Sequence, residues 1–159
     1  MKMQKNLGWR ILNPIPARSG AYTRMNKMQH IDPGWGWDEN FPLSQGIRTG
    51  NLVFLSGQVP FDGDGNVVGI GDLRQQTRQV FENIQGILQE AGATFQDVVK
   101  MTTFFTVDIT NHDKVSDYFE VRREYFGDHK PCSTGVQVSA LVDPELMLEV
   151  EVIALLPDS

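Results

Sequence analysis

The chain has 159 residues, of which 40% are hydrophobic and 21% charged, and a formal net charge of −6. That length suits one domain large enough to bury a core, and the balance is that of an ordinary globular protein. The acidic net charge argues against a nucleic-acid footprint, and no apolar run reaches the roughly 20 residues a membrane-crossing helix needs, so neither partner is expected.

The charge is unevenly placed. Residues 1–24 contain Lys2, Lys5, Arg10, Arg18 and Arg24 and no acidic residue, while the other 135 residues carry nine basic and twenty acidic side chains, a charge of −11. Residues 1–24 show no hydrophobic period and read as a basic, loosely ordered extension; residues 25–159 read as one domain. Pro14 and Pro16 interrupt any amphipathic import helix, and no apolar signal segment precedes them. The single cysteine, Cys132, excludes an intramolecular disulfide and fits a reducing, cytoplasmic compartment.

In chain order, residues 29–42 contain Pro33, Gly34, Gly36 and Pro42 and read as a loop, with Trp35 and Trp37 either pinning it to the core or contacting a ligand. Asn51–Pro60 reads as a strand with Gly57 as a bulge or close-approach point. Asp62-Gly63-Asp64-Gly65-Asn66 is a turn, and Val67-Val68 begins a returning strand. The apolar stripe through Leu73, Val80, Phe81, Ile84, Ile87 and Leu88 predicts a helix capped by Asp72 and ended by Gly92. Val98–Val107 is a strand rich in β-branched and aromatic residues. Thr110 and Asp113 resemble a capping box, opening a helix with Val115, Tyr118, Phe119, Arg122 and Phe126 on one side and Gly127 at its end. Strands over Thr134–Leu141 and Met147–Leu156 complete the chain. Two helices with five or six strands predict an α+β fold whose helices cover one sheet face.

The last strand carries the functional question. In it Leu148, Val150, Val152 and Ala154 alternate with Glu149, Glu151 and Ile153, so two carboxylates stand on one face. They are either solvated on an open face or held in a cleft. The open face also bears Ile153 and Leu155, which points to burial against another subunit. Cys132 reads as a small buried hydrophobe facing away from Ser133. His30, His112 and His129 lack metal-ligand spacing, so no metal is expected. Glu151 reads as an ion-pair residue.

The segments PLSQGIRTGNLVFLSGQVP, QTRQVFENIQGILQEAGATFQDVVKMTTFFTVD, PCSTGVQVSAL and LEVEVIAL resemble the reactive-intermediate deaminase family, also called RidA/YjgF or L-PSP endoribonuclease-like, over roughly Pro42 to Leu156. The resemblance implies a chorismate-mutase-like mixed sheet with two helices on one face, a homotrimer with small-molecule clefts between subunits, and hydrolysis of imines or enamines without a cofactor. It implies a catalytic role for Glu149 and places Ser56, Gly57, Gln58 and Gly135 around the substrate. Ser133 stands where active relatives carry an arginine that clamps a substrate carboxylate, and Phe41-Pro42-Leu43 replaces their glycine-proline-tyrosine. A hydroxyl offers one neutral hydrogen bond where a guanidinium offers two charge-assisted ones, so altered substrate choice is expected. Lys130 and Arg48 are possible substitutes for the lost charge. A non-catalytic trimer that binds a small molecule or a protein is the alternative. The ribonuclease activity in the family's other name is opposed by the domain's charge and by the lack of a histidine pair.

Overall fold

Alternating apolar residues build one six-stranded mixed sheet. The computed structural model describes residues 28–38 and 41–157, so the basic segment 1–24 lies outside the described residues. The strands are β1 (Gln29–Ile31), β2 (Gly46–Thr49), β3 (Leu52–Leu55), β4 (Val98–Phe105), β5 (Cys132–Gln137) and β6 (Leu148–Leu155), in the order β1-β2-β3-β6-β4-β5. Neighbours run antiparallel except β4 and β5. That parallel pair is joined by a crossover helix, α2 (His112–Phe126), because parallel strands cannot be linked by a tight turn. The other helix, α1 (Leu73–Glu90), joins β3 to β4. The fold is the expected α+β mixed sheet with two helices.

Both helices pack on the same sheet face. From α1, Val80, Phe81, Ile84, Ile87 and Leu88 are fully buried; from α2, Val115, Tyr118, Val121 and Phe126 join them. They meet Met101 and Phe105 of β4 and Leu148, Val150, Val152 and Ala154 of β6, the face predicted to be apolar. Asp72 caps α1 through the Gln75 amide as its sequence position suggests, and Gly127 ends α2 at φ 55°. The cap of α2 is Asn111 and not Thr110, whose hydroxyl instead donates to Asp108. Buried amides tie the layers together. Asn83 donates to the carbonyls of Val59 and Phe61, and Gln76 bridges Glu145 O and Met147 N just before β6.

Three expected elements differ. Residues 29–42 include β1, and β2 precedes β3; with three and four residues, neither shows a readable period. Val67-Val68 does not start a strand, because the Asp62 carboxylate accepts from the Asp64 and Asn66 amides and closes a compact loop, leaving one bridge between Phe61 and Val67. The strand over 51–60 stops at Leu55. Ser56 and Gly57 step out of the ladder, and Gln58 rejoins it by two backbone bonds to Val150, of 2.8 and 3.0 Å.

Among the described residues, no helix lies on the other sheet face. That face presents Phe54, Ile153, Leu155, Phe104 and Val136 among Lys100, Thr102, Glu149 and Glu151. Cys132 lies on this face at the β5 edge. It points away from Ser133 as expected but is exposed, contrary to its reading as a buried residue, because all six residues of β5 are exposed.

Candidate functional site

Glu149 is the second residue of β6, opposite Phe104 on the uncovered face. Its carboxylate rests directly on the backbone of Gly57: a Cβ added there would lie 1.8 Å from Oε1. Only glycine admits this approach, which is the physical content of the serine-glycine-glutamine turn. Burial pushes the Glu149 carboxyl above its ordinary range, and the Glu151 charge two residues along the same face adds to the shift. No cation and no hydrogen-bond donor among the described residues is paired with Glu149. Glu151 likewise has no ion pair there, the pairs being Arg74 with Asp117 and Glu120, and Arg78 with Glu124.

The neighbours of Gly57 hold it in place. The Ser56 hydroxyl donates to Ser44 O at 2.7 Å. The Gln58 side chain is buried and donates to Gln45 Oε1 at 2.9 Å and Ser56 O at 3.1 Å, while Gln45 Nε2 donates to Asp38 Oδ2 at 2.7 Å. These side chains are occupied in shaping the turn. What they leave facing Glu149 is the backbone at Gly57. A hollow of about 290 Å³ lined by His30, Trp35, Asp38, Ser44 and Gln45 adjoins this network. Trp35 packs against the core, and Trp37 packs edge-on to Phe61 and Phe41. The tryptophans therefore anchor the loop.

Ser133 and Gly135 lie elsewhere. They pair in register with Met101 and Thr103, whose side chains are buried on the helix side of the sheet. Glu149 is on the opposite side. Within one chain the predicted residues thus fall into two separate groups: Ser56, Gly57, Gln58 and Glu149 in one, Ser133 and Gly135 in the other. Gly135 lines a cavity of about 220 Å³ between the β5 edge and α2, with Phe105, Ile109, His112, Val115 and Phe119.

Sequence reasoning missed a residue beside the second group. Arg122 of α2 donates from Nη1 to Ser133 Oγ at 3.1 Å, and its guanidinium lies 5.4 Å from the centre of the Phe126 ring. The available signal was an arginine on the apolar stripe of a helix. Arg48 is committed elsewhere, donating to Gly50 O and to Ala91 O at the end of α1. Lys130 is exposed, just before β5. Among the described residues no three histidine, cysteine, aspartate or glutamate side chains gather as a metal site.

The sequence model of the family described as Endoribonuclease L-PSP matches residues 38–156. A RutC family protein of Pyrococcus abyssi is 42% identical over 113 residues, covering 71% of this chain and 85% of that protein. Another, from Sulfurisphaera tokodaii, is 37% identical over 112 residues, covering 70% and 86%. Among solved structures, a Rid-family protein of unknown function from Yersinia pestis has 34% identity and a TM-score of 0.71, covering 82% of this chain and 100% of its own. RidA from an Antarctic Psychrobacter has 31% identity and a TM-score of 0.65, covering 74% and 90%. With a family model spanning both helices and every strand but β1, and relatives this similar, the chain belongs to the endoribonuclease L-PSP family, which takes in the RutC, Rid and YjgF proteins.

Proposed function

We propose that the chain is a homotrimeric hydrolase of small imines or enamines, with Glu149 as its acid–base group and substrate choice altered by Ser133. The observation that carries this reading is a half-buried carboxyl, raised in pKa and without a partner, pressed onto a glycine backbone. A carboxyl in that state takes and returns a proton more readily near neutral pH than a solvated one. Water adds to the C=N carbon as Glu149 accepts one of its protons and passes it to nitrogen, giving a carbinolamine. Glu149 then takes the proton of the new hydroxyl and hands it to nitrogen as the C=O bond forms and the C–N bond breaks, leaving a carbonyl compound and ammonia.

Two features support the trimer. The uncovered face carries Phe54, Ile153 and Leu155, with Phe54 40% and Leu155 45% exposed. The two groups of candidate residues lie on opposite sides of one sheet, and a packed second copy would bring a β5 edge beside Glu149. The absence of an arginine at position 133 favours the second reading, a trimer that binds a small molecule or a protein without catalysis. Ammonia release from imines generated in solution decides between them. The hydrolase reading expects turnover by wild type and its loss in Glu149→Gln at unchanged assembly; equal rates in the two proteins contradict it.

A further inference from the structure

Position 133 lacks a guanidinium, yet a guanidinium is there. Arg122 reaches across from α2 and sets one N–H on the Ser133 hydroxyl. One face of its planar group lies near the Phe126 ring, a contact that orients it without neutralising it. Arginine has five N–H donors in a rigid fork, and the hydroxyls of Ser133 and Tyr118 engage it without using them all. No carboxylate among the described residues pairs with it, although Arg74 and Arg78 on α1 each have acidic partners on α2. Arg122 therefore presents an uncompensated cation at the exposed β5 edge.

Two residues along the same face of β5, Gly135 lines a mainly apolar cavity whose other walls are Phe105, Ile109, His112, Val115 and Phe119; Arg122 and Ser133 do not line it themselves. Tyr118 links the two regions. Its hydroxyl is hydrogen-bonded to Thr103 at 2.8 Å, its ring packs against Phe105 and Phe119, and the nearby Arg122 guanidinium pulls against the upward shift that burial gives its phenol. A charged fork at one end and an aliphatic-sized hollow beside it suit a short-chain organic anion.

We propose that Arg122, delivered by α2 and not by β5, is the anion-gripping residue of the cleft, and that with Ser133 and the hollow beside Gly135 it binds a small carboxylate bearing a short aliphatic chain. The proposal rests on the reading above that the β5 edge faces the cleft. It reverses one expectation drawn from Ser133: the loss of arginine from the strand does not remove the grip, because the charge has moved to the neighbouring helix. Ser133 becomes the rest for that guanidinium and fixes its height over the strand.

The test is calorimetric titration of the intact protein with 2-oxopentanoate and, in parallel, its uncharged amide. The expected result for wild type is carboxylate binding that weakens with added salt, as a partly exposed ion contact must, and at least tenfold weaker binding of the amide. Arg122→Gln should lose the carboxylate by a similar factor, and Arg122→Lys should recover only part of it. The double variant Arg122→Gln/Ser133→Arg should restore binding by returning the fork to the strand, a rescue that a merely structural Arg122 does not permit. The comparison of acid with amide needs no variant, so it stands even where a substitution impairs folding. Equal binding of acid and amide, no binding of the acid by wild type, or unchanged affinity in Arg122→Gln each overturns the proposal. Trimer dissociation in Arg122→Gln, without wild-type carboxylate binding, overturns it in favour of an interface ion pair. Hydrolysis of a neutral imine, lost in Glu149→Gln, reports on Glu149 alone and separates failure of this proposal from failure of the hydrolase reading.

Discussion

At the residue scale the proposed chemistry rests on two positions, one of which lacks a side chain. Gly57 exists so that Glu149 can lie where a methyl group would otherwise be. Gly57→Ala should displace the carboxylate while the turn survives, because Ser56, Gln58 and Gln45 are held by their own hydrogen bonds. Turnover should fall on the order of 100-fold, the usual effect of a misplaced catalytic group, with little change in melting temperature. Unchanged ammonia release in that variant refutes the role given to this contact. Glu149 also makes stability depend on pH. Burial raises its folded-state pKa, so the native chain keeps the proton longer than the unfolded one. The stability it contributes is complete below the unfolded value and is lost as pH rises through the folded one. Glu149→Gln should therefore flatten the decline in stability above the ordinary carboxylate range, as read by denaturant unfolding at a series of pH values. A steeper decline in the variant contradicts this.

Short polar anchors decide where each element stops, and here the sequence was uneven as a guide. The limits of α1 were legible because Asp72 and Gly92 flank a long apolar stripe. Asp72→Ala should cost about 1 kcal/mol in a thermal melt, the usual value of a helix cap. The step at Ser56-Gly57 was legible only as a glycine in a strand; what it accommodates depends on β6, ninety residues away. β1 and β2 were illegible because a three- or four-residue strand has no period to read. Arg122 was visible as part of a helical stripe, but its meeting with Ser133 depends on how α2 lies against β5. Inside the interface of α2 and β4, Thr103 and Tyr118 satisfy each other at 2.8 Å. Thr103→Val keeps the shape and removes the phenol's 2.8 Å partner, leaving it the Arg122 guanidinium, which should cost about 1 kcal/mol in denaturant unfolding. A neutral substitution shows that the hydroxyl finds water instead.

At the scale of the whole molecule, one sheet has a side covered by two helices and a side that no described helix covers. The alternation along β6 was legible in the sequence and gave the correct partition, with Leu148, Val150, Val152 and Ala154 buried under the helices and Glu149, Glu151, Ile153 and Leu155 on the other face. The division of the candidate site was not legible, since the face on which Ser133 stands follows from the β4–β5 register. That division makes the central claim testable, because a cleft built by two copies can be repaired by mixing two defective ones. Glu149→Gln damages one half-site, and Ser133→Phe blocks the other. Neither protein alone should release ammonia from an imine. Random trimers refolded from equal amounts of both should regain roughly a quarter of the wild-type rate, because about one interface in four then joins an intact half from each parent. Ammonia release from the mixture no greater than from the parents, while wild type remains active and the mixed trimers form, contradicts a site shared between subunits.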